Sequence, residues 1–169
     1  MMQGECASFC KVCPTPCCKI SICKEAEESP FLSAVHKRTQ AFDGDTGYLG
    51  ACSCKLSTGR PPVCHAYICS KILDACPTQD HRYALECLGR LVDFVCKGIW
   101  KRRHAVEAVD QEDLEAIHLQ KFQTAMVKGK AAMEILKSFF QNERALQPED
   151  LQILARIKTL PPQSLSNDV

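Results

Sequence analysis

The sequence predicts a mostly α-helical protein in which an irregular, cysteine-rich N-terminal half packs on a small helical bundle in the C-terminal half. Apolar residues recur at three- and four-residue steps through much of residues 77–169, and no stretch alternates apolar and polar residues as a strand does. Eleven of the 13 cysteines lie between Cys6 and Cys76. At 169 residues the chain is expected to form a single domain, 1–169, with a cysteine-rich region at 1–76 and a helical region at 77–169.

The first helix of the C-terminal half is predicted to run from about Pro77 to His104, with Asp80 capping its start. The helical spacing assigns one apolar face to Leu85, Leu88, Val92, Val95 and Ile99. A flanking apolar face carries Cys87, Leu91 and Phe94. Two apolar faces predict that this helix is buried on two sides.

A second helix is predicted from about Asp110 to Asn142, with acidic residues favouring its start. Its apolar stripe consists of Leu114, Ile117, Phe122, Ala125, Met126, Gly129, Ala132, Met133, Leu136 and Phe140. The small residues on this stripe would let another helix approach closely. A third, short helix is predicted to begin at Pro148, a residue favoured in the first turn. Its apolar face consists of Leu151, Leu154 and Ile157.

The N-terminal half is predicted to hold one helix, from Glu25 to Phe42, with Pro30 near its first turn. Its apolar positions are Phe31, Leu32, Val35 and Ala41. The stretch Asp43-Gly44-Asp45 is expected to end it, because these residues favour turns. Much of residues 1–76 is rich in Cys, Pro and Gly, and such a segment needs a staple such as a metal.

Charge and hydropathy argue against two classes of partner. The formal net charge of +1 gives no basis for binding nucleic acid or an anionic membrane surface. The basic run 101–104 is expected to be a solvated helix end. No apolar run approaches the roughly 20 residues that span a bilayer, and residues 1–20 lack the apolar segment of a signal peptide. We therefore expect a cytoplasmic protein that binds neither nucleic acid nor a membrane.

The cysteines are predicted to bind a metal. Their number is odd, Cys17 and Cys18 are adjacent, and cysteine clusters of the reducing cytosol bind metal more often than they form disulfides. A first group, C-x3-C-x2-C-x3-C-C-x4-C, begins at Cys6 and ends at Cys23. A second group contains Cys52, Cys54, Cys64 and Cys69, with Cys76 trailing. Neither group has two clean zinc knuckles or a ferredoxin spacing, so zinc, iron–sulfur and Cu(I) stay open.

A specific motif sharpens this interpretation. The stretch Cys13-Pro-Thr-Pro-Cys17-Cys18 is followed by Cys54-x5-Arg60-Pro61-x2-Cys64-x2-Tyr67-x-Cys69. This pattern resembles the YkgJ-type cysteine-cluster family, whose members are described as chelating zinc or iron. The first element is also similar to the cysteine element of flagellin lysine N-methylases. The resemblance covers about residues 6–70 and leaves out the helical half.

The resemblance implies a ligand set drawn from Cys10, Cys13, Cys17, Cys18, Cys54, Cys64 and Cys69. It assigns Arg60, Pro61 and Tyr67 to the framework of the site, with Tyr67 expected to shield the centre from water. His65 departs from the family, which often has Arg at that position. The surplus cysteines Cys6, Cys23, Cys52 and Cys76 leave the ligand set ambiguous.

Several of these residues have a plain structural interpretation. Cys87 and Cys96 lie on an apolar helix and are expected to be core thiols. Cys6 and Cys23 are expected to be bystanders, and Cys76 is open between ligand and loop residue. The five histidines show no paired spacing and are expected to be surface or structural residues.

The predicted function is that of a protein holding a thiolate-ligated iron–sulfur cluster. Adjacent Cys17 and Cys18 do not easily bind one ion together, which favours a polynuclear centre, with [4Fe–4S] preferred and zinc as the alternative. No nucleotide-binding or nucleophile-elbow motif is present in the sequence. An accessory, maturation or electron-transfer role is expected, with a protein partner bound through the C-terminal helices. The alternatives are a structural zinc protein and a small cluster-dependent enzyme that modifies a peptide or protein.

Overall fold

The computed structural model describes residues 19–50, 54–96, 111–115 and 117–158. These residues contain eight helices, which we number α1 to α8. Their bounds are α1 Ile20–Glu28, α2 Pro30–His36, α3 Pro62–Ala66, α4 Ser70–Asp74, α5 Gln79–Cys96, α6 Gln111–Glu115, α7 Leu119–Asn142 and α8 Pro148–Leu154. In these ranges the extended backbone pairs only as two isolated bridges, Asp43 with Gly47 and Leu49 with Cys54. The predicted mostly α-helical class is confirmed for this part of the chain.

None of the described helices is both long enough and apolar enough to span a membrane.

The larger core lies between α5, α7 and α8. We call it the C-terminal core; its buried residues are Tyr83, Ala84, Cys87, Leu91, Ala132, Ile135, Leu136, Phe139 and Leu154. Helices α5 and α7 approach closely at Gly129, where an added Cβ would lie 2.7 Å from Cγ2 of Val95. The prediction that small residues of the α7 stripe admit another helix is therefore confirmed at Gly129. Met133 and Leu88 pack against this core from its edge.

The most deeply buried face of α5 differs from the predicted one. The buried residues are Tyr83, Ala84, Cys87, Gly89 and Leu91, whereas Leu85, Leu88, Val92 and Val95 are only partly buried. The predicted start is also corrected, because Thr78 Oγ1 accepts a hydrogen bond from the His81 amide at 3.2 Å and Asp80 lies within the first turn. The helix meets α7 on one side and α3 on another, so burial on two sides is confirmed. Its predicted continuation to His104 lies outside the described residues.

The predicted long helix from Asp110 to Asn142 is interrupted. Residues 111–115 form the short helix α6, and α7 begins at Leu119 after His118, whose backbone is not helical (φ −83°, ψ 81°). Leu114, predicted on the apolar stripe, is 60% exposed. Further along α7 the stripe is confirmed at Gly129, Ala132 and Leu136, and the structure adds Ile135 and Phe139, which the spacing did not include.

The short helix α8 follows the prediction. It begins with Pro148 in its first turn, and Leu154 is fully buried in the C-terminal core. The carboxylate of Asp150 accepts hydrogen bonds from the amide of Gln147 at 2.9 Å and from the guanidinium of Arg144 at 2.7 Å. These bonds satisfy a donor at the helix start and hold α8 against the loop that follows α7.

The single N-terminal helix predicted from Glu25 to Phe42 is two helices. The side chain of Ser29 accepts a hydrogen bond from the Leu32 amide at 3.1 Å, which caps a new helix, and Pro30 occupies its first position. Because proline lacks an amide proton, it suits a helix start better than the interior of a longer helix. The second helix ends at His36, before the Asp43-Gly44-Asp45 turn, in which Asp43 Oδ1 accepts bonds from two backbone amides.

A second, smaller cluster joins α1 and α2 to the residues after them. We call it the N-terminal core; its buried residues are Ala26, Leu32, Tyr48 and Leu56. Of the apolar positions predicted for this helix only Leu32 is buried, while Phe31 is 51% and Val35 is 41% exposed. The segment after this core leads into α3 and α4, both of which pack against α5.

Candidate metal centre

Cys54 lies at the edge of the N-terminal core. It forms an isolated antiparallel bridge with Leu49, and the amide of Lys55 donates to the carbonyl of Tyr48 at 2.7 Å. Its side chain is half-buried and packs against the core. The backbone of this predicted ligand is therefore fixed by a neighbouring segment rather than by a helix.

The residues between Cys54 and α3 are held against α2. Gly59 has a φ of +71°, and a Cβ there would lie 2.8 Å from the Leu32 carbonyl oxygen and 2.9 Å from the backbone nitrogen of His36. Only glycine fits such a close approach with a left-handed backbone. Arg60 Nε donates to the Leu56 carbonyl at 2.5 Å, and Pro61 is buried. Gly59 is not among the predicted site residues, although its place before Arg60-Pro61 marks a turn.

Cys64 and Cys69 are carried by the two short helices that dock on α5. Cys64 is the third residue of α3, and Cys69 directly precedes α4, where its carbonyl accepts from the amide of Ile72 at 3.0 Å. The docking depends on Gly89 of α5, since a Cβ there would lie 2.8 Å from the carbonyl oxygen of Ala66. The core helix α5 thereby positions the segment that contains both cysteines.

The side chains around Cys64 face solvent. The Cys64 side chain itself is exposed and that of Cys69 is half-buried. Tyr67, expected to shield the centre, is 58% exposed. Partial burial and the nearby guanidinium of Arg60 lower the pKa of His65, which favours its neutral form at neutral pH.

Two cysteines that the motif does not use have different surroundings. Cys23 of α1 is half-buried, packs against the N-terminal core and lies against Gly47, which has a φ of +63°. Cys76 follows α4 and its thiol donates to the carbonyl of Ile72 at 3.5 Å. Burial raises the pKa of Cys76, which favours its thiol form.

Cys87 and Cys96, both on α5, lie outside the motif. Cys87 is fully buried in the C-terminal core, and burial raises its pKa to about 11, so the prediction of a core thiol is confirmed. Cys96, at the end of α5, is only partly buried. Of the histidines, His36 is structural: its Nδ1 accepts from the Arg38 amide at 3.1 Å, which leaves Nε2 as the donor to the Ala26 carbonyl at 3.2 Å.

Three of the seven predicted ligands, Cys54, Cys64 and Cys69, are therefore placed by the structure. The others, Cys10, Cys13, Cys17 and Cys18, lie outside the described residues, as do Cys6 and Cys52. The three placed thiols suit a soft or borderline metal in their chemistry, and none is as deeply buried as Cys87. Within the described ranges, no group of three or more His, Cys, Asp or Glu side chains stands close enough to hold one ion. A complete ligand set would need thiols from the first cysteine group.

Comparison of the chain with protein-family models, with curated proteins and with solved structures gives no match. The resemblance to the YkgJ-type family therefore depends on the cysteine motif alone and stays a prediction.

Proposed function

We propose that this chain is a cytoplasmic protein that binds a thiolate-ligated metal centre. The ligands are drawn from the motif cysteines of both groups, namely Cys10, Cys13, Cys17, Cys18, Cys54, Cys64 and Cys69. An iron–sulfur cluster is the favoured occupant, of the [4Fe–4S] type, because the adjacent Cys17 and Cys18 do not easily bind one ion together, which favours a polynuclear centre over a single zinc ion. Such a cluster, when bound, stores and releases single electrons, which suits an electron-transfer, accessory or maturation role.

The observation that carries this proposal is the accessibility of the motif cysteines, among which Cys64 is the one exposed cysteine of the described ranges. A thiol cysteine is among the most buried residue types in proteins and otherwise behaves as a small apolar side chain. Cys87 follows that rule and is fully buried. Cys54, Cys64 and Cys69 do not: one is exposed and two are half-buried, within 16 residues of sequence. Accessible thiols at motif spacing are what a site completed by another segment requires.

The first test is anaerobic purification of the full chain, followed by an absorption spectrum and by analysis of iron, zinc and sulfide. A brown protein with a broad band in the blue and matched iron and sulfide would support the cluster. A protein that contains neither iron nor zinc would contradict the proposal.

The ligand assignment is tested with a matched pair of variants. Cys64→Ser should lose metal, because serine removes the thiolate from the motif, whereas Cys96→Ala should retain it, because Cys96 lies at the end of α5 outside the motif. Circular dichroism of both variants would establish that each is folded. Equal metal content in the two variants would contradict the assignment of Cys64.

Structural zinc is a second candidate, favoured by the size of the N-terminal core. That core buries only four apolar side chains in the described residues. A region with so small a core commonly depends on a metal for folding. A colourless protein with stoichiometric zinc, which unfolds in this region when chelator is added, would select zinc over the cluster.

A protein partner is also proposed, bound through the C-terminal helices. Support comes from apolar residues of α7 that stay in solvent, Val127 at 70% and Leu119 at 60% exposure.

A further inference from the structure

We draw no further inference here: the strongest candidate, the outward face of α7 on which Leu119 and Val127 are exposed to solvent, already supports the proposed protein partner, and nothing in the described residues shows what covers it.

Discussion

The C-terminal core buries nine side chains between three helices, whereas the N-terminal core buries four, contributed by two short helices and the segment that follows them. Burial of apolar area is the main favourable term in folding and grows with the number of side chains removed from water. The described part of the C-terminal half therefore buries enough apolar side chains to pack as an ordinary helical bundle. The described part of the N-terminal half buries fewer than half as many apolar side chains in its core.

The smaller core is supplemented by specific polar contacts. Tyr48 donates to the carboxylate of Glu27, the His36 ring bonds the Ala26 carbonyl, and Arg60 bonds the Leu56 carbonyl. A net contribution of about 1 kcal/mol for each such bond does not replace several buried side chains. The comparison indicates that packing contributes more to the C-terminal half than to the described part of the N-terminal half. Under the proposed function, we expect the metal to supply stability that the smaller core lacks.

Removal of the metal should have the largest effect and should be confined to one region. After treatment with a chelator, amide protons of α1 to α4 should exchange at least about tenfold faster, because the staple of the small core is lost. Amides of α5 and α7 should keep their protection. Hydrogen exchange read by mass spectrometry resolves the two regions. Equal loss in both would show that the halves unfold as one unit, and no loss in either would remove the metal as a stabilising element.

A cavity in the larger core should have the next largest effect. Leu136 is 1% exposed in the C-terminal core, so Leu136→Ala is expected to lower the free energy of unfolding by about 3 kcal/mol. Val127→Ala, at a position 70% exposed on the same helix, should change it by less than about 0.5 kcal/mol. Urea denaturation followed by circular dichroism measures both.

The loss in free energy of unfolding caused by Leu136→Ala should be the same with and without metal, because side-chain packing alone stabilises the C-terminal half. A loss that appears only in the metal-free protein would contradict the separation of the two regions.

Local signals in the sequence predicted the helices of the C-terminal half better than those of the N-terminal half. Pro148 and the Leu151–Leu154 spacing fixed the start and the buried face of α8, because both depend on neighbouring residues only. The buried face of α5 was predicted less well. Helical spacing offered two apolar faces, and which is deeper depends on α3, whose docking at Gly89 no local pattern encodes.

The candidate site likewise has features that the local sequence predicts and features that depend on tertiary contacts. The motif predicts Cys54, Cys64 and Cys69 as ligands, but their placement on separate elements is a property of the tertiary structure. The contact of Cys23 with Gly47 joins residues that are 24 positions apart and lies outside any helical or cysteine spacing. A long-range contact of that kind leaves no periodic signal in the sequence.

The smallest predicted effect concerns the polar support of the N-terminal core. Burial, the hydrogen bond to Glu27 and the charges of Glu27 and Cys23 raise the pKa of Tyr48 to about 12, from an ordinary value of 10.0. Near pH 8 the phenol is protonated in both the folded and the unfolded chain, and Tyr48→Phe is expected to cost about 1 kcal/mol through the lost hydrogen bond. Tyr67→Phe, at an exposed position, is the control and should cost almost nothing.

The pH dependence of this difference sharpens the comparison between the regions. Because the pKa is raised in the folded state, the contribution of Tyr48 is fully present below pH 10 and is lost as the pH rises through about 12, where the unfolded phenol has ionised and the folded one resists. The stability advantage of the wild type over Tyr48→Phe should therefore shrink between pH 10 and 12, measured by urea denaturation at each pH. Comparing the two proteins at the same pH cancels the titration of the other groups, including Tyr83 in the C-terminal core, whose pKa burial also raises. A difference that is near zero at pH 8 and stays so across this range would mean that Tyr48 does not support the N-terminal core through its hydroxyl, and that apolar contact with Ala26, Leu32 and Leu56 is what holds it.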